Sequence, residues 1–150
     1  MSSPTTYGIA PPPTEALAIA LWTPLMAPLP VTTRLPKPAV RADMVNPVLR
    51  VEAAGGFLRQ DELLYDISLI LHSYAPENQE ATAESNLVTA LGYGARGIKA
   101  FPITVGGHDF YVIHSWVTGA PLRQNDPLVN MTRYRAMLTW RIPGTALGVS

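Results

Sequence analysis

Cysteine is absent from all 150 residues, which excludes disulfides and thiolate metal sites and fits a reducing compartment. Any zinc site would have to rely on histidine and carboxylates. Charge is scarce at 15%, and eleven basic residues balance eleven acidic ones. No global field therefore draws the chain to nucleic acid or to an anionic membrane, so any such contact must be local. Long hydrophobic runs are missing too: the apolar stretch over residues 16–22 is too short to span a bilayer, and residues 1–8 carry no basic n-region. These absences predict a soluble protein made in the cytoplasm, with no membrane partner. What the chain has instead is fifteen prolines, eleven glycines and 47% apolar residues, a composition of irregular backbone and few solvated faces. The apolar excess fits either a large core or apolar surface covered by partners. A single domain spans residues 1–150, long enough to bury roughly 68 to 70% of its unfolded surface without covalent staples.

Residues 1–13 read as an extended arm, with a proline run at Pro11, Pro12 and Pro13. Thr14 then caps a helix with Glu15 in its first turn and Leu17, Ala18, Leu21, Trp22 and Leu25 as its apolar surface. Pro24 ends or kinks that helix. The prolines between residues 24 and 47 recur too often for a regular element, although residues 31–35 suit a short edge strand. This connection is expected to contact other subunits. A strand follows over residues 48–54, Gly55 and Gly56 make a turn, and the chain turns back into a strand near Phe57 or Leu63.

In that second strand Leu63, Tyr65, Ile67, Leu69 and Leu71 alternate with Asp66, Ser68 and His72, so one face is buried and the other at least partly wet. Pro76 suits a first helical position, and Glu77 and Glu80 complement the positive end of the helix. That helix runs to Leu91 with an apolar stripe of Ala83, Leu87, Val88, Ala90 and Leu91, and Gly92 stops it. Two long alternating strands come next. Phe110, Val112, His114 and Trp116 share one face of the first. In the second, Thr132, Tyr134, Ala136, Leu138, Trp140 and Ile142 alternate with Met131, Arg133, Arg135, Met137, Thr139 and Arg141. The two are expected to pair antiparallel across a loop over residues 119–129 that is longer than a hairpin needs, which marks it as a contact loop. Residues 143–150 are a fraying tail. The order of helix, strands, helix and two strands predicts an α+β fold, a mainly antiparallel sheet with helices packed on one face.

Candidate chemistry is thin. Gly92, Gly94 and Gly97 match G-x-G-x-x-G, but the motif follows a helix instead of opening one, so it reads as a helix stop and loop. His108 and His114 fall on one face of one strand, and six residues at roughly 3.3 Å each set them about 20 Å apart, too far to share a metal. His72 is able to approach His114 across the sheet, with ordinary polar-face histidines as the plainer reading. No G-x-S-x-G elbow is present, and no serine or threonine carries a signature tying it to a base. Asp61, Glu62 and Asp66 form a small acidic group that reads as solvated or paired with Arg50 or Arg59. No catalytic, cofactor or metal residue is assigned, and an enzyme is not expected. Arg133, Arg135 and Arg141 form a stripe on one face of the last strand, suited to ion pairs with neighbouring acids or to facing phosphate.

The strand over residues 66–74 running into a helix over residues 76–91, followed by strands over residues 108–117 and 131–142, resembles the tail terminators of long-tailed bacteriophages, the lambda-like family of neck proteins. The likeness covers somewhat more than the C-terminal half, with the first helix in its expected place. It implies a homo-oligomeric ring, typically a hexamer, that caps the tail tube, ends its polymerisation and joins the tail to the head connector. Localisation in the virion neck, after assembly in the host cytoplasm, and a tail-tube protein and a head-connector or head-completion protein as partners follow from the same likeness, with DNA passing through the ring. On that reading Pro121, Leu122, Arg123, Gln124, Asn125, Asp126 and Pro127 are interface candidates, and Arg133, Arg135 and Arg141 face the channel or form ion pairs. A different neck or tail-tube protein, or a small-ligand or hydrolytic α+β domain with polar groups converging near His72 and His114, remains the alternative.

Overall fold

The computed structural model describes residues 9–10, 12–34, 46–59, 64–95, 102–124, 131–143 and 145–146, with the side chains of 9–10, 57–59 and 145–146 left aside. Its elements are β1 (Ile9–Ala10), α1 (Thr14–Met26), β2 (Val31–Thr32), β3 (Val48–Arg59), β4 (Leu64–Ala75), α2 (Glu80–Ala95), β5 (Ile103–Val105), β6 (His108–Phe110), β7 (His114–Gln124), β8 (Thr132–Pro143) and β9 (Thr145–Ala146). The fold is α+β, with a mainly antiparallel five-stranded sheet in the order β2-β3-β4-β8-β7. Only the two-residue β2 runs parallel to its neighbour.

The period-2 pattern of the long strands decides which face is covered. On β4, Ile67, Leu69 and Leu71 point to the side where both helices lie, and Ser73 on that side donates to the Ala83 carbonyl of α2 at 2.7 Å. Leu49 and Val51 of β3 and Ala136, Leu138, Trp140 and Ile142 of β8 share that side, and all are buried. From α1, Leu17, Ala18, Trp22 and Met26 reach down into the same core, and from α2 Leu87, Ala90 and Leu91 do so. Leu25 and Val88, expected on the apolar stripes, are instead 45% and 54% exposed, because each points away from the sheet on its helix. Trp22 stacks on Trp140 with ring centroids 5.4 Å apart, and its indole donates to the Ala90 carbonyl at 2.9 Å, joining both helices to the sheet through one side chain.

Several boundaries differ from the sequence-based expectation. Pro24 lies inside α1, which continues to Met26; the helix begins after Pro13 with no side-chain cap, and Thr14 bonds the Pro12 carbonyl. Gly55 and Gly56 do not turn the chain: β3 is continuous from Val48 to Arg59 and absorbs them as a bulge, with Gly55 at φ +89° and Gly56 pressed against the Asp66 carbonyl. Pro76 leads into a 3-10 turn, Glu77–Gln79, and α2 proper starts at Glu80. Gly92 does not stop α2, which runs through Gly94 to Ala95, since Gly94 is where the helix meets Trp22: a Cβ there would come within 2.7 Å of the indole.

The strand expected over residues 108–117 is broken in two. Residues 108–110 pair with β5 in a separate hairpin whose turn, Gly106 and Gly107, has φ of +59° and +76°, and the main-sheet strand begins only at His114. Two-residue strands β1 and β9 pair antiparallel, so parts of the arm and tail are held together. Residues 119–124, expected in the contact loop, belong instead to β7, which extends to Gln124 through register irregularities between Val117 and Leu122, and residues 125–129 of that loop lie outside the described residues. Among the described residues no helix is long and apolar enough to cross a membrane.

Candidate functional site

The side of the sheet away from the helices carries the polar residues of the long strands, and the register stacks them in rows. Arg50 of β3, His72 of β4 and Arg135 of β8 stand in one row, with Leu122 of β7 beyond them. The next row holds Val48, Tyr74, Arg133 and Gln124, and the far end pairs Asp66, Arg141 and His114. The expected stripe of Arg133, Arg135 and Arg141 thus shares one face, and Arg50 joins it from across β4.

The arginines fall into different environments. Arg141 is held by Asp66 through Nε at 2.8 Å and Nη2 at 3.2 Å, a forked ion pair, and its guanidinium lies 5.4 Å from the Trp116 ring centre. Asp66 was expected to be solvated or paired with Arg50 or Arg59, and the side chain of Arg59 lies outside the described ones. Asp66 is buried, so the fork supplies the hydrogen bonds that make its burial tolerable. Arg133 donates to the Gln124 side chain at 3.0 Å. Arg135 contacts the sulfur of Met137 at 3.8 Å, a weak acceptor. Arg50 lies 3.7 Å from a Glu52 carboxylate oxygen and 3.5 Å from the Tyr74 hydroxyl, both at the long limit of polar contact.

His72 sits in the middle of these groups, 4% exposed, and neither of its ring nitrogens has a hydrogen-bond partner. The Glu52 carboxylate stands 3.8 Å from Nε2, too far for a hydrogen bond. Burial, together with the positive charges of Arg50, Arg133 and Arg135, lowers the imidazole pKa to about 3, so His72 is neutral at pH 7. The residues around it were legible as an arginine stripe; the contribution of Arg50 was not, because only the β3–β4 register brings it across.

His72 and His114 do not converge. Their partners on β8, Arg135 and Arg141, are six positions apart, or about 20 Å along the strand. Among the described residues no cluster of His, Asp and Glu is arranged to hold a metal ion. A cavity of about 450 Å³ beside α1, lined by Glu15, Ile19, Thr33 and Thr104 among others, touches neither histidine, and the same is true of one of about 370 Å³ beneath Pro28 and Asn86.

The interface candidates divide. Pro121, Leu122, Arg123 and Gln124 are on β7, whereas Asn125, Asp126 and Pro127 lie outside the described residues, as do Asp61 and Glu62. Leu122 is 61% exposed on the arginine-bearing face. Arg123 points to the helix side, 3.5 Å from Glu80, whose carboxylate also accepts the Tyr134 hydroxyl at 2.8 Å and so raises the phenol pKa. The continuation of β7 to Gln124 and its place at the edge of the sheet are what sequence reasoning missed. β7 ends the sheet over 11 residues, and Tyr111, Ile113, Val117 and Leu122 project from it and its lead-in as exposed apolar side chains. Neither protein-family models nor curated proteins match this chain.

Proposed function

We propose that this protein is a structural subunit that works by assembly, a ring-forming cap of the tail-terminator kind that ends a tail tube and joins it to a head connector. The observation that carries the reading is the edge of β7, which no strand covers among the described residues. An edge strand exposes a row of unpaired N–H and C=O groups, and single chains commonly blunt such edges with charge or short length. β7 is 11 residues long and, although Pro121, Arg123 and two register irregularities interrupt its edge, Val117 and Leu122 on it and Tyr111 and Ile113 just before it are exposed apolar side chains. At the opposite edge of the sheet, among the described residues, β2 covers β3 only at Leu49 and Arg50. Two different edges left open among the described residues suit a heterologous, head-to-tail contact, the kind that closes into a ring when its rotation allows.

The α+β architecture, with the helices on one face and the arginines on the other, accords with a subunit that turns one surface to a channel and another to its neighbours. Solution mass measurement with negative-stain imaging tests the reading. The expected result is a closed ring of uniform size that adds to the ends of tail tubes. A strict monomer at every concentration, with no association with tubes, refutes it. Open filaments would favour the tail-tube alternative, since the same edge contacts then fail to close.

A further inference from the structure

We propose that the helix-free face of the sheet holds a phosphate group between Arg50 and Arg135, above His72, with Glu52 occupying the place that the phosphate takes. Neighbouring strands lie roughly 4.8 Å apart, so Arg50 and Arg135, on either side of β4, start about 9.6 Å from each other. Two guanidinium groups leaning inward across that gap can both reach one tetrahedral oxyanion that displaces the Glu52 carboxylate, each donating a forked pair of hydrogen bonds to it. Neither arginine has a strong partner at present: Arg135 meets a thioether at 3.8 Å, and Arg50 meets Glu52 at 3.7 Å and Tyr74 at 3.5 Å.

The second observation is His72. A buried polar side chain normally has its hydrogen bonds made, and leaving one unmade costs free energy. His72 is 4% exposed with both ring nitrogens unpartnered, and Nε2 faces the Glu52 carboxylate at 3.8 Å. Glu52 is itself 42% exposed, so its carboxylate is free to swing to solvent. It marks where negative charge is favoured without satisfying the groups around it. A phosphate there is within reach of the imidazole N–H as well as the two guanidiniums. These contacts lie within one subunit, so the site stands whether or not the chain forms rings.

The test is a titration of the intact protein with inorganic phosphate, read from the His72 imidazole resonances by NMR, with sodium chloride at matched ionic strength as control. Phosphate is expected to shift the His72 signals saturably and chloride to leave them in place. Arg135→Gln removes one charge-assisted partner and is expected to weaken binding roughly tenfold. Glu52→Gln removes the competing carboxylate and is expected to tighten it severalfold, whereas Glu77→Gln, the same charge change on a distant exposed turn, has no such effect. A short DNA duplex titrated in parallel identifies the source: dependence on Arg135 and Glu52 in both arms assigns a phosphodiester backbone, and in the phosphate arm alone a free phosphate. His72 signals that do not move, or equal affinities for Arg135→Gln and the unaltered protein, overturn the proposal. Arg50→Gln provides a second variant should Arg135→Gln fail to fold.

Discussion

His72 is held neutral by burial and by the arginines around it, and that ties stability to pH in one direction. Its pKa falls from 6.5 in the unfolded chain to about 3 in the fold. Between those values the unfolded state binds a proton that the native state does not, so stability declines as the pH drops through that window and the effect is complete below it. The slope from this one group is about 1.4 kcal/mol per pH unit. The charged and titratable groups facing it are Arg50 and Glu52 from β3, Tyr74 from β4, and Arg133 and Arg135 from β8. Carboxylates add their own terms below pH 5, so the range from about 6.5 to 5 isolates the histidine. Urea unfolding of the protein and of His72→Gln across that range is expected to show the decline only in the unaltered protein; parallel curves would contradict the assignment. Gly94 carries a second constraint at this scale. Its missing side chain lets α2 approach Trp22, and its carbonyl accepts both Ser115 Oγ at 2.8 Å and Trp140 Nε1 at 2.9 Å. Gly94→Ala places a methyl 2.7 Å from the indole. Overpacking of this kind typically costs about 1–3 kcal/mol, read as a lower urea midpoint with an unchanged m-value.

Among the elements, β7 is where the proposed assembly can be tested apart from folding. Its core-facing residues are few, and Val117 and Leu122 are 44% and 61% exposed. Val117→Lys or Leu122→Lys places charge on the open edge, a common device against strand pairing. Surface changes of this sort shift stability by only about 0.5 kcal/mol. Ring formation is therefore expected to fall sharply while the unfolding midpoint stays in place; rings that survive both substitutions would move the contact elsewhere. The long strands were legible because alternation of apolar and polar residues survives in them nearly unbroken, as in residues 64–75 and 132–143. That same alternation separated Arg133, Arg135 and Arg141 from the core side correctly. The starts of α1 at Thr14 and of β3 at Val48 were legible, but other ends were not, and the reasons are tertiary. Gly92 and Gly94 look like a helix stop because glycine commonly follows a helix, yet here the packing of Trp22 rewards a glycine inside one. Gly55 and Gly56 look like a hairpin turn, but pairing with β4 on both sides of the bulge keeps the strand continuous. Likewise, local pattern made residues 108–117 one strand, whereas the Gly106–Gly107 turn pairs residues 108–110 with β5.

At the level of the whole molecule, one tryptophan connects every layer. Trp22 stacks on the sheet at Trp140, donates to α2 at Ala90 and fits over Gly94. Helices that pack on a sheet through a shared buried side chain lose that contact together, so the described core is expected to unfold as one cooperative unit. Trp22 and Trp140 are both fully buried and report on this junction by fluorescence, while far-UV circular dichroism reports on helices and strands. The two curves are expected to coincide in the unaltered protein. Trp22→Ala removes the junction and typically costs about 3–5 kcal/mol, a large part of the stability of a domain this size. Its effect distinguishes two designs. If the helices serve only to cover the core side, the truncated protein unfolds earlier but still in one step, and the open β7 edge assembles as before at low temperature. If the helices instead form a separately stable layer, the fluorescence and dichroism curves of the variant part company, and the single cooperative unit is refuted. The register of the sheet favours the first outcome, because β4 and β8 pair over twelve consecutive positions and leave the arginine-bearing face intact without help from either helix.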